Sequence, residues 1–212
     1  MSAVYPARRL RLAWLFTLLA ALPIVLWMPA FFQFIAAKPG ISLPDPLLDV
    51  LPSWDLSTPL FVLLYGAIAM FVIGLVRHRV LFLRTAQAYV FLLLLRMISM
   101  AVFTLEPPQG MVELHDPVSA LVYPNKMPFS KDLFFSGHTA TLFLFYLAAP
   151  WRIGKPLLLL ATVIVGCAVL VQHVHWTIDV LAAPFGAYAA WWLSGHATRW
   201  GVGAATSGNG AA

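Results

Sequence analysis

Long apolar runs separated by short polar clusters set the plan of this chain. Runs at about 12–36, 57–76, 83–105, 138–150, 156–173 and 175–195 stand out. Most approach or exceed the roughly 20 residues that let an α-helix cross a hydrocarbon core of about 30 Å. The pattern predicts an all-α fold: a polytopic membrane protein with a six-transmembrane helix bundle. The fourth run is short, so its helix is expected to recruit residues from before Ser136. The first run follows "ARRLR" but is longer than the apolar core of about 7–15 residues in a signal peptide, and it reads as a retained span.

No repeat or charge run interrupts the pattern. The predicted organisation is an N-terminal stretch (1–11), one membrane domain (12–198) with an outer loop or lid at 106–135, and a disordered tail (199–212). The proline-rich outer loop is too long for a plain connector, and its "PVSALVY" segment suggests a short interfacial helix.

Composition supports the membrane assignment. The chain is 61% hydrophobic and 10% charged, against about half and a quarter in soluble domains. The net charge of +5 would point to nucleic acid in a soluble protein; here no nucleic-acid partner is expected. The bases instead orient the chain. Arg8, Arg9, Arg11, Arg77, Arg79, Arg84, Arg152, Lys155 and Arg199 all fall on one side of a six-span layout, which predicts cytoplasmic termini. Asp45, Asp49, Asp55, Glu106, Glu113, Asp116, Asp132 and Asp179 all fall on the other. The minimal loops and Ala/Leu-rich spans suggest a bacterial inner membrane, with function at the periplasmic or extracellular face. Cys167 is the only cysteine, so neither an internal disulfide nor a cysteine metal cluster is available.

Three polar stretches meet at the acidic side. In "SGHT", Ser136 suits a helix N-cap and Gly137 lets a backbone approach closely. Free amides at a helix start favour an anion, with His138 and Thr139 beside it; a simple capped helix start explains the same letters. In "HVHWTIDV", His175 and Asp179 are four residues apart, so on a helix they share a face. A carboxylate there would fix the imidazole tautomer and free the other nitrogen as nucleophile or base; a structural hydrogen bond is the bland reading. His173 marks the water boundary or meets headgroups. Arg96, the one strong base well inside a span, requires a partner: a phosphate, Asp45 or Asp132.

Together these motifs resemble the type 2 phosphatidic acid phosphatase superfamily of lipid phosphatases and phosphotransferases, and more closely its sphingomyelin synthase-like branch. "SGHT" preceded by Asp132, "HWTID", "SLPDPLLD" with Asp45, and the span bearing Arg84 and Arg96 follow that branch's order over roughly residues 41–195. The Lys-x6-Arg-Pro element of classical lipid phosphatases is absent, Ser130-Lys131 stands where the branch has Cys-Gly, and Trp176 replaces its usual Tyr. The resemblance implies His138, His175 and Asp179 as catalytic residues. It implies Arg96, Ser136, Gly137, Thr139, Asp132 and Asp45 around the substrate phosphate. No cofactor or metal is implied; the partners are a membrane phospholipid and a lipid-hydroxyl or water acceptor, within a lipid bilayer. Three other readings remain at this stage: a lipid phosphatase or phospholipase C-like hydrolase with water as acceptor, a metal site on His138, His173, His175 and Asp179, and a non-enzymatic lipid-binding or transport protein.

Overall fold

The computed structural model describes residues 6–116 and 131–202. Among these the regular structure is helical: α1 (Ala7–Ala37), α2 (Ser57–Leu75), α3 (Arg79–Val102), α4 (Gly137–Ala148), α5 (Gly154–Val171) and α6 (Thr177–Val202). The "PVSALVY" segment lies outside the described residues. Helices α1, α2, α3 and α5 are each long and apolar enough to cross a membrane. On α1, Leu15, Phe16, Leu18, Leu22 and Leu26 point outward and stay uncovered. So large an apolar surface is stable only against lipid, which makes this an integral membrane protein.

Packing centres on α3, α4 and α6, with α5 against α4, α2 against α5 and α1 against α3. Ala88, Ala140, Ala183, Ala187 and Ala190 are completely buried in one cluster where α3, α4 and α6 meet. Such small side chains let helix backbones approach closely in the absence of a hydrophobic driving force between helices.

The helices alternate in direction, giving the bundle two unlike ends. One, the terminal end, carries the start of α1, the α2–α3 and α4–α5 turns and the end of α6. The other carries the longer connections, and these are laced together. Ile41 pairs with the Thr104–Glu106 backbone through Ile41 N–H to Thr104 O and Glu106 N–H to Ile41 O, each 3.0 Å. Trp54 N–H reaches Val171 O and Val112 N–H reaches Gln172 O.

The fourth helix corrects one expectation. It does not recruit residues before Ser136: α4 has 12 residues, roughly 18 Å of helix. The run leading into it is non-helical yet buried, with Leu133 and Phe135 almost fully covered. Its backbone is satisfied from outside. Ser99 Oγ donates to Phe134 O, Arg96 Nε donates to Phe135 O, and Ser136 N–H donates to Asp179 O. The Phe135 ring fills the space beside Gly186 of α6, where a Cβ would lie only 2.2 Å from it. Tertiary partners thus replace the helical ladder, and α4 starts at the depth Arg96 reaches on α3. At the other end of the chain, α6 continues to Val202, past the position where a tail was expected to begin.

Candidate active site

The site forms where the starts of α4 and α6 meet the outer half of α3. Ser136 occupies the N-cap position of α4, but its hydroxyl pairs with Thr139 Oγ1 at 3.1 Å and caps no backbone amide. The N–H groups of the first turn have no intrahelical acceptor and carry the positive end of the helix dipole. Gly137 is needed here for space. A Cβ on it would meet Arg96 Nη1 at 2.6 Å and Cζ at 2.7 Å, so the glycine admits the guanidinium against the helix start.

Arg96 is gripped on its other edges. Its Nη2 donates to Asp132 Oδ1 at 2.5 Å and its Nε to Phe135 O at 3.0 Å. Of the two carboxylates considered for this arginine, Asp132 is the one it meets. Its Nη1 edge lies against the first turn of α4, beside the amides that favour an anion.

The His138 ring lies with its centroid 5.8 Å from that of Phe61 and 6.5 Å from that of His175, inclined at 65° to the latter. The imidazole of His175 is 3% exposed for the residue and Asp179 is fully buried. His175 Nδ1 stands 3.5 Å from Asp179 Oδ2, an ion-pair distance at the outer limit of hydrogen bonding. The pair is not built as a shared helix face. His175 precedes α6, and the turn brings its ring back over the helix's first turn, where Asp179 Oδ2 also accepts Trp176 N–H at 3.0 Å. His138 Nδ1, His175 Nδ1 and Asp179 Oδ1 are buried without a hydrogen-bond partner among the described residues. Buried polar atoms left unpaired are costly; His175 Nδ1 has the Asp179 carboxylate at ion-pair distance, so the unmet polar demand falls on His138 Nδ1 and Asp179 Oδ1.

Asp45 reaches the site from the first loop. Its carboxylate accepts Thr177 N–H at 2.7 Å, Thr177 Oγ1–H at 2.9 Å and the amides of Leu47 and Leu48. Burial alone would raise its pKa, but these hydrogen bonds outweigh it and hold the carboxyl below its ordinary value. Asp45 therefore caps α6 and fixes the turn that carries His175.

The same turn has supports that sequence reading missed. Gln172, fully buried, donates through Nε2 to Ser57 Oγ at 2.8 Å and accepts Leu56 N–H at 3.3 Å. His173 is buried and not exposed at a water boundary. It adopts a left-handed φ of 54°, and its two ring nitrogens face Gln109 O at 2.9 Å and Leu51 O at 3.2 Å. Trp176 Nε1 donates to Glu106 O at 2.9 Å. A polar residue in an apolar run signals that it needs a partner, but the partners here lie 50 to over 100 residues away. Among the described residues no group of three or more His, Cys, Asp or Glu side chains is arranged to hold a metal ion.

No curated protein matches the chain. Residues 131–197 match the family model described as PAP2 superfamily C-terminal, a stretch that holds α4, α5, most of α6, both histidines of the facing pair and Asp179.

Proposed function

We propose that the chain is a membrane-embedded lipid phosphotransferase. It moves a phosphate headgroup from a phospholipid to a lipid hydroxyl, as the sphingomyelin synthase-like branch does, through a phosphohistidine intermediate. The observation that carries this reading is the pair of imidazoles with ring centroids 6.5 Å apart, His138 partly buried and His175 buried and backed by the buried Asp179 carboxylate, beside an arginine and free helix amides. The match of residues 131–197 to the PAP2 superfamily supports lipid phosphatase or phosphotransferase chemistry for the same segment. Asp45 and Arg96, outside that stretch, support the narrower branch.

In the mechanism, Asp179 holds the proton on His175 Nδ1, so Nε2 is the nucleophile. Nε2 attacks phosphorus, the P–N bond forms, and the bond to the departing lipid oxygen breaks. His138 protonates that oxygen as it leaves. The acceptor hydroxyl then gives its proton to His138, its oxygen attacks phosphorus, and the P–N bond breaks, restoring both imidazoles. Arg96 Nη1 and the amides of residues 137–139 stabilise the equatorial oxygens. Ser136 and Thr139 shape that first turn, and Asp132 aims Arg96. The nine bases of the terminal end support a cytoplasmic placement of that end in a six-span layout, with the site on the opposite side.

The test is lipid mass spectrometry after purified protein is incubated with phosphatidylcholine or phosphatidylethanolamine, with and without ceramide or diacylglycerol. A new headgroup-bearing lipid that depends on acceptor and vanishes in His175→Ala supports transfer. Headgroup release without an acceptor makes the protein a phosphatase or phospholipase C-like hydrolase. Absence of turnover with tight lipid retention makes it a binding or transport protein.

A further inference from the structure

The terminal end holds a second cationic site that the chemistry above does not use. Arg84 of α3 does not extend freely to solvent. Its guanidinium lies 3.6 Å from the Trp191 ring centroid, and Nη2 donates to Trp191 O at 3.2 Å. Its Nη2 is 3.0 Å from the Cβ position of Gly195. Arg199, one turn further along α6, donates from Nε to Gly195 O at 3.0 Å. Arg84 of α3 and Arg199 of α6 thus both reach the same glycine. Arg84 Nε is buried and has no acceptor among the described residues.

The chain supplies no Asp or Glu side chain to neutralise them. All eight acidic residues lie at the histidine end: Asp45, Asp49 and Asp55 between α1 and α2, Glu106, Glu113, Asp116 and Asp132 between α3 and α4, and Asp179 in the first turn of α6. The level of the pair is marked by Trp192 and Trp200, both exposed, the second by 93%; exposed tryptophans on a membrane helix sit at the headgroup boundary. A pair of guanidiniums at that depth matches a phosphate by charge and by its planar fork of donors.

We propose that Arg84 and Arg199, seated around Gly195 and Trp191, bind the phosphate of an anionic phospholipid in the leaflet at the terminal end. A zwitterionic headgroup is disfavoured because its ammonium would enter a face that bears nine bases and no acid. Arg199, being exposed, meets the lipid first; Arg84, fixed by the indole, gives the site its geometry.

Native mass spectrometry of the full chain in detergent tests this, titrating phosphatidylglycerol, phosphatidylcholine and inorganic phosphate. Phosphatidylglycerol should be retained several-fold over phosphatidylcholine. Arg84→Gln and Arg199→Gln should each weaken that preference, and the double variant should abolish it. Because Arg84 is packed, Arg199→Gln gives a reading that does not depend on Arg84→Gln folding. Arg8→Gln/Arg9→Gln should keep the preference; loss there as well would mean a diffuse basic surface and overturn the proposal. Displacement by inorganic phosphate at concentrations matching the lipid would assign a free-anion site and overturn the lipid source. Equal retention of both lipids by the unaltered chain would overturn it outright. His175→Ala should bind phosphatidylglycerol normally, so this outcome is independent of the proposed catalysis.

Discussion

The two ends of this bundle solve different problems with the same helices. At the terminal end the connections are short, every formal side-chain charge is positive, and packing is aromatic: the Trp151 ring fills the space beside Gly74, and Phe71 stacks on Phe145 with centroids 4.2 Å apart. At the histidine end, long connections are cross-linked by hydrogen bonds, and all the acids are gathered there. The first end is built to sit at a headgroup boundary. The second holds unpaired polar atoms in fixed positions, which no lipid-facing surface tolerates unless a ligand completes them.

The sharpest break should come from the facing imidazoles. His175→Ala should reduce turnover to background, and His138→Ala by about 10²–10⁴-fold, the range for a lost general acid–base group. Thermal unfolding of both variants should stay close to that of the parent. Asp179→Asn comes next, with kcat expected to fall by about 10²-fold or more as the tautomer and charge support of His175 are lost. A KM that rises while kcat holds would place Asp179 in substrate binding instead.

A paired glycine substitution sets the ends directly against each other. Gly186→Ala would press on the Phe135 ring and Gly74→Ala on the Trp151 ring, each 2.2 Å from the new methyl. Both should cost about 1–3 kcal/mol of stability. Only Gly186→Ala should also lower turnover, because Phe135 leads directly into Ser136 and Gly137.

The smallest effect concerns Asp45. Losing its charge should cost about 1 kcal/mol through the weakened cap on α6, with a modest fall in kcat. Its pKa is depressed in the folded state. It therefore stabilises the fold above the ordinary carboxylate pKa of about 4, and that contribution is lost as pH falls through the depressed value. Denaturant titrations across pH 3–6 should show a shallower acid slope in Asp45→Asn than in the parent.

Much of this was legible in the letters. Periodicity and length fix the six helices, and alternation of direction then puts His138 and His175 at one end without any contact being known. The grouping of acids pointed to the same end. What the letters could not carry was pairing across distance. Nothing local in "LPDP" says that Asp45 caps the helix of Asp179, and nothing in "SGHT" says that the glycine leaves room for an arginine 41 positions earlier. The four-residue spacing of His175 and Asp179 suggested a helix face. A turn delivers the same contact instead, because Asp45 and Trp176 stop the helix from starting earlier.

The central claim is that His175 takes the phosphoryl group. Rapid acid-free quenching of the protein with headgroup-phosphate-labelled phospholipid, followed by peptide mapping, tests it most directly. The account predicts an acid-labile, alkali-stable label on the peptide bearing His175, formed faster than product and absent from His175→Ala. Label on another residue, or full turnover by His175→Ala, would contradict it.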